Sequence, residues 1–376
     1  MKAIVSQEKL AHGLSLVSRA VSPRSTLPVL GNILIDSAEG RLRLSATNLE
    51  LGITCWIPAR IEQNGSTTVP ARTFQDLVST LPADQVMLAL DQRTQTLNVR
   101  GGTSTNDIKC IDAQEFPPSA TVDLDGATQL NVAEFREMIQ QVAFAASTDE
   151  ARPVLMGVLL NAERDKLTLA AADGFRLSVR HASLSTPAPA PISAIIPARS
   201  LTELARVAPD GDEILQMAIP KMRNQVVFHA KDVEVTSQLI DGTFPDYQQI
   251  IPRKHSTRTL VSTSALLKAC KQAEIFAREG SNVARVNIKA AGAGQPSELE
   301  ISAISEETGK NETIVEATVD GSGVLIAFNV KFLREALEVI KTANVAIEMT
   351  AANAPGVLRP VGDEQFLHVI MPMHLG

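Results

Sequence analysis

The chain has 376 residues, is 44% apolar and 20% charged, and carries a formal net charge of −7 at pH 7. That composition excludes a disordered chain, and the length exceeds what one hydrophobic core usually serves. The acidic balance excludes a protein that is basic over its whole surface, so a nucleic-acid contact would need cations gathered on one face. Residues 6–21 open with a predicted helix, since Leu10, Leu14, Val17 and Val21 recur at helical spacing behind Ser6 as N-cap. Leu42-Arg43-Leu44-Ser45 alternates as a strand does. Val69-Pro70-Ala71-Arg72-Thr73-Phe74 then predicts a second helix over 71–81 with Phe74, Leu77, Val78 and Leu81 inward. A proline just ahead of the first turn gives up no helical hydrogen bond. Strands 85–90 and 95–100 follow, and the polar stretch Ser119–Thr128 predicts a boundary.

The same order then recurs. A helix over 131–146 carries Phe135, Ile139, Val142 and Phe144, a strand carries Leu167-Thr168-Leu169, and a helix over 198–207 carries Leu201, Leu204 and Val207. Pro187-Ala188-Pro189-Ala190-Pro191 reads as a stiff surface loop within this segment. Strands 225–229 and 233–239 join across Ala230-Lys231-Asp232, and Arg253–Thr259 predicts the next boundary. The last third has a helix over 262–277, with Leu266, Leu267 and Cys270, and another over 329–340, with Phe332, Leu333, Leu337 and Ile340.

Three landmarks keep one step. Val69-Pro70-Ala71-Arg72 returns as Ile196-Pro197-Ala198-Arg199 and as Phe328-Asn329-Val330-Lys331, at offsets of 127 and 132 residues. Phe116-Pro117, Phe244-Pro245 and Met371-Pro372 recur at 128 and 127, and Leu44–Asn48, Leu169–Asp173 and Ile301–Ser305 agree. A step of this length is a domain rather than a solenoid repeat. The expectation is three similar α+β domains, each two helices packed on antiparallel sheet, over residues 1–122, 123–253 and 254–376.

Catalytic and metal patterns are weak. The six histidines (12, 181, 229, 255, 368 and 374) show no metal-helix spacing, Cys55, Cys110 and Cys270 are too far apart for a Cys-x-x-Cys site, and no P-loop occurs. Gly292-Ala293-Gly294 reads as a loop, and Asp173-Gly174 and Asp241-Gly242 as turns. No catalytic residue, metal or cofactor is therefore expected, and repeated domains more naturally supply shape and contacts than a unique reacting centre. A hydrolase using Asp173 or Asp241 is the competing reading. The odd cysteine count fits a reducing cytoplasm, and no apolar run reaches membrane-spanning length, nor does Met1–Ser6 read as a signal peptide. Arg72, Arg199 and Lys331 fall at one repeat position, and Lys9, Arg19, Arg136, Lys268, Lys271 and Arg278 lie on the first helices. Such recurrence points to a shared anionic partner, diluted by Glu8, Glu134, Glu137 and Glu203 on the same helices.

Together with Leu27-Pro28-Val29-Leu30-Gly31-Asn32, Ala172-Asp173-Gly174-Phe175-Arg176-Leu177, Asp241-Gly242-Thr243-Phe244-Pro245-Asp246-Tyr247 and Val369–Leu375, the Pro-Ala-Arg phrase makes the whole chain resemble the bacterial β sliding clamps. These are the processivity subunits of replicative DNA polymerase. The resemblance implies a head-to-tail homodimer that encircles double-stranded DNA without reading its sequence and holds DNA polymerase, clamp-loader and repair-protein peptides in a pocket between the second and third domains. It places that pocket at Leu155, Ala172, Gly174, Phe175, Arg176, Leu177, Pro245, Gln249, Ile250, Val369, Met371, Pro372, Met373 and Leu375. Phe175 stands where many relatives carry histidine, and Gln249 and His374 where some carry arginine. The resemblance points to DNA contacts at Arg24, Arg152 and Arg199, to which the repeated cations add Arg72, Arg136, Lys268 and Lys331. It implies a dimer seam at Ile108, Ile275 and Phe276. A specialised paralogue of the same ring, such as an antibiotic-tolerant copy, is the alternative within the family.

Overall fold

The computed structural model describes residues 1–376 except 39, 83, 119–122, 221–223, 293–295 and 375–376. The first third runs β1 (Lys2–Ser6), α1 (Gln7–Val17), β2 (Asn32–Ala38), β3 (Arg41–Thr47), β4 (Leu51–Gln63), β5 (Ser66–Pro70), α2 (Ala71–Thr80), β6 (Gln85–Asp91), β7 (Thr96–Gly101) and β8 (Ser104–Lys109). The second runs β9 (Thr128–Asn131), α3 (Val132–Val142), β10 (Gly157–Glu163), β11 (Lys166–Ala172), β12 (Arg176–Ser183), β13 (Ile192–Pro197), α4 (Ala198–Val207), β14 (Ile214–Ala218), β15 (Gln225–Ala230) and β16 (Val233–Gln238). The third runs β17 (Thr257–Ser262), α5 (Thr263–Ala277), β18 (Val283–Lys289), β19 (Glu298–Ser305), β20 (Gly309–Gly321), β21 (Val324–Asn329), α6 (Val330–Glu338), β22 (Asn344–Met349), β23 (Gly356–Pro360) and β24 (Phe366–Ile370). Among the described residues each third thus repeats eight strands and two helices in one order, as the sequence landmarks require.

The strands form two sheets. One follows β8-β7-β6-β1-β4-β16-β15-β14-β9, with β2, β3 and β5 attached through the β3–β4 pair; the other follows β13-β10-β11-β12-β24-β23-β22-β17-β20-β19-β18-β21. The middle repeat gives strands to both. By its contacts the chain accordingly divides into two compact units, one of Met1–Phe135 with Glu203–Leu239 and one of Arg136–Thr202 with Ile240–Gly376. Counting repeats along the sequence does not show this division, because strand pairing across repeats is a long-range property.

Helix positions follow the apolar stripes. Phe74 and Val78 of α2, Leu266 and Cys270 of α5, and Leu333 and Leu337 of α6 are buried. Each such side chain contributes about 1.5–3 kcal/mol on leaving water. Leu77 and Phe332 are only half-buried, so the inward stripe is narrower than the sequence suggests. The phrase acts as expected at Pro70 and Pro197, which end strands immediately before α2 and α4. In the third repeat Asn329 replaces the proline and caps α6, its side chain accepting from Lys331 N at 3.1 Å. Ser6 stands at the N-cap of α1 without a side-chain bond. The three cysteines are unpaired, and burial pushes the Cys55 and Cys270 thiols up to about 12, so both pack as small apolar groups.

Candidate functional site

The second unit carries the surface that the family resemblance marks, and its anchor is one turn. Asp173 Oδ1 accepts from Phe175 N at 2.9 Å and Arg176 N at 3.0 Å, while Gly174 takes φ 94°, a left-handed conformation that side chains disfavour. A Cβ added at Gly174 would also sit 3.0 Å from Arg152 Nη1. This is turn chemistry, as expected for Asp173-Gly174. Its effect is to throw Phe175 outward, where it is 59% exposed.

Arg176 departs from the sequence expectation. Its side chain is 8% exposed and does not face the surface. Nε donates to Asp173 Oδ2 at 3.0 Å, Nη2 donates to the Phe144 carbonyl at 2.7 Å, and Nη1 pairs with Glu335 on α6. The guanidinium also lies 4.2 Å from the Phe332 ring centroid and 5.4 Å from that of Phe144. Arg176 therefore frames the turn from beneath. A planar fork with five donors suits such a node, and a lysine would not fill it.

Around the turn an apolar cluster gathers. Leu177 and Val369 face each other across the β12–β24 pair and are both buried, as is Ala172, so these three make floor rather than rim. Phe244 and Tyr247 are buried in the same cluster, with Val154 and Leu155 packed against it. Pro245, Gln249 and Ile250 are exposed, and Gln249 Nε2 donates to Asp246 Oδ2 at 2.7 Å. The chain leaves β24 at Ile370, and Met371 emerges 37% exposed with its N–H bonded to the Phe175 carbonyl at 2.9 Å. Val369 and Ile370 are thus a last core strand and Met371 is surface. Pro372 and Met373 are half-buried, and Met373 N donates to the Ala327 carbonyl at 2.8 Å. Leu375 lies outside the described residues. Exposed Phe175, Ile250 and Met371 around a ready-made apolar floor suit an extended peptide with large apolar side chains, and methionine adapts to several.

Beneath this floor His368 is fully buried, stacked 5.4 Å from Phe144, with Nδ1 2.6 Å from Ser178 Oγ. Loss of hydration and then the nearby Arg176 charge hold it down to about 3. It is neutral in the folded state at pH 5, whereas the unfolded imidazole takes up a proton below about 6.5. The unfolded state binds more protons in that window, so stability falls as pH drops from about 6.5 toward 3. Between pH 7 and pH 5 His368 should cost about 2 kcal/mol. Urea unfolding of the parent and of His368→Gln at both pH values checks this: the variant should lose about that much less on acidification. Equal losses would refute the assignment.

The cationic positions separate into two groups. Arg24, Arg72, Arg199, Lys268 and Lys331 are exposed. Arg72, Arg199 and Lys331 are each the second residue of their helices α2, α4 and α6. A cation in a first turn opposes the helix dipole by about 0.3–1 kcal/mol, so helix stability does not explain its recurrence. Arg136 is half-buried. Arg152 is held by Asp149 at 2.9 Å and donates to the Asp173 carbonyl at 2.9 Å, which ties it to the Phe175 turn while its side chain stays 42% exposed.

At the expected seam, Ile275 on α5 is 59% exposed, while its neighbour Phe276 is half-buried and packs against the core of the third repeat. Ile108 is 6% exposed, so its side chain belongs to the core and only the β8 backbone is offered there. Sequence reasoning did not find Phe144, Glu335 or His368, which reach the site from distant segments. Phe244 was signalled, as half of the recurring Phe-Pro pair.

Among the described residues no group of three or more His, Cys, Asp or Glu side chains is placed to hold a metal ion, and no helix is long and apolar enough to cross a membrane. Family models described as the N-terminal, central and C-terminal domains of the DNA polymerase III beta subunit match residues 1–121, 129–246 and 248–374. The chain is 32% identical over 383 residues to the beta sliding clamp of Bacillus subtilis, covering 99% of each, and 33% identical over 394 residues to that of Synechocystis, covering all of both. The crystal structure of the Bacillus subtilis DNA polymerase sliding clamp superposes over the full length of both chains with TM-score 0.93 at 31% identity. A Pseudomonas aeruginosa sliding clamp bound to griselimycin does so with TM-score 0.91 at 27% identity.

Proposed function

The chain belongs to the DNA polymerase III beta-subunit family, the bacterial sliding clamps, and on that footing we propose how it closes, what it holds and where. Strand order carries the reading. β4, the fourth strand of the first repeat, pairs antiparallel with β16, the last strand of the second; β12 pairs in the same way with β24. The third repeat ends the series. In β20, residues 317–321 pair with β17, but residues 309–316 pair on one side only, with β19. β8, the last strand of the first repeat, is a sheet edge. Continuing the rule, β20 of one copy takes β8 of a second, head to tail, and two copies close a ring of six domains with boundaries near 122/123 and 253/254. Exposed Lys109 on β8 complements exposed Glu312 and Glu316 of β20. An unpaired strand edge beside exposed Ile275 and Ile314 is what such a seam needs.

The ring holds duplex DNA by topology. Its lining needs only weak, sliding phosphate contacts, for which Arg24, Arg72, Arg199, Lys268 and Lys331 serve while the net charge stays at −7. The Phe175–Met371 surface tethers polymerase, clamp-loader and repair-protein peptides, and the protein acts in the cytoplasm without catalytic activity of its own. One experiment tests the tether. Deleting Met371–Gly376 should leave a folded protein whose affinity for an apolar polymerase-tail peptide falls by at least about tenfold, as when a hot-spot side chain is lost. Unchanged affinity would remove the peptide from this site.

A further inference from the structure

The first unit repeats the turn that builds the Phe175 surface, with inverted chemistry around it. Asn48 Oδ1 accepts from Glu50 N at 3.0 Å and Leu51 N at 2.8 Å, as Asp173 does for Phe175 and Arg176. Leu49 holds at φ 77° the left-handed place that Gly174 holds at φ 94°. Gly52 faces Thr236 and Thr54 faces Glu234 across β4 and β16, as Leu177 faces Val369 and Val179 faces Leu367 across β12 and β24. Phe116-Pro117 stands in for Phe244-Pro245. Together these segments enclose a cavity of about 170 Å³.

The lining is where the two sites part. Glu50 replaces Phe175, Thr47 replaces Ala172, Glu234 replaces Leu367 and Thr236 replaces Val369. Gln225 also lines the cavity, and its buried Oε1 has no hydrogen-bond partner in the protein. That oxygen is shielded from solvent while the residue is only partly buried, and an acceptor left unmade costs about 1–3 kcal/mol, so a turn of the side chain that brings it to an entering donor is favoured. Two carboxylates and this amide oxygen, with no lysine or arginine among the described lining residues, select a cation. His229 is the titratable neighbour of Glu234, with Nδ1 at 3.7 Å, and competes only when protonated. The volume falls short of the roughly 300 Å³ at which whole-ligand pockets begin, so it suits one side chain, with Leu49, 51% exposed, at the mouth for an apolar neighbour.

We propose that this socket docks a second short, extended segment of a client protein, with one arginine or lysine side chain reaching Glu50, Glu234 and Gln225. The inference rests on the reading of the Phe175 surface as a peptide site, since the shared backbone frame is what suggests a peptide. The test is an NMR titration of the full-length protein with acetyl-Leu-Arg-Ala-Ala-amide and with its citrulline counterpart, following Leu49, Glu50 and Thr236 separately from Phe175 and Met371. The arginine peptide should shift the first set saturably, and citrulline or Glu50→Gln with Glu234→Gln should weaken that binding by about tenfold. Shifts confined to Phe175 and Met371 would overturn the second socket while leaving the first site standing. Equal binding by arginine and citrulline, or no response at Leu49 up to millimolar peptide, would also overturn it.

Discussion

Replacing Arg176 with methionine should destabilise the second unit by about 3 kcal/mol and abolish peptide binding at Phe175. Removing one member of a buried ion network costs about 3–5 kcal/mol because its partners keep their charge without compensation. The lower end applies here, since Glu335 retains Arg334 at 3.6 Å and Lys331 at 3.9 Å and Asp173 is 13% exposed. Methionine keeps contact with the Phe144 and Phe332 rings, so the loss isolates the ionic and hydrogen-bonding part. Arg176→Lys should fall between, since it restores charge without the fork that bridges Asp173, Glu335 and the Phe144 carbonyl. Denaturant unfolding with peptide titration checks both. A methionine variant within 0.5 kcal/mol of the parent, on the order of an ordinary surface change, would show that the network contributes nothing to the fold.

The second large effect is at the seam. Ile275→Asp with Ile314→Asp places two carboxylates on side chains 59% and 56% exposed in the single chain, so folding of each copy should be unaffected within about 0.5 kcal/mol. In the ring those carboxylates would be desolvated beside Glu312 and Glu316. Light scattering should then give the mass of one 40.3 kDa chain where the parent gives twice that. A variant that remains dimeric would move the seam away from β20.

Much of this was legible in the sequence, for identifiable reasons. The recurring Pro-Ala-Arg phrase marks a strand end followed by a helix start, both set by local chemistry, and the three copies place α2, α4 and α6 within a few residues. Asp173-Gly174 likewise reads as a turn because its hydrogen bonds close within three residues. Arg176 did not read as a buried node, since its fate depends on Glu335, 159 positions away. Ile108 gave no sign of burial because β8 reads Ser-Thr-Asn-Asp-Ile-Lys, with one apolar side chain and no alternation. The division into two units was hidden for a related reason: which repeat receives β16 or β24 is settled by edge pairing, which leaves little trace in composition.

The central claim is that the protein holds DNA by encircling it. The measurement that bears on it most directly is retention on a nicked circle after loading with a clamp loader and ATP, before and after the circle is cut. Encirclement predicts stable retention on the circle, rapid loss from the cut ends, and little dependence on salt while the circle is closed. Loss set by salt alone and indifferent to the presence of ends would contradict it, because that is the behaviour of ordinary electrostatic binding.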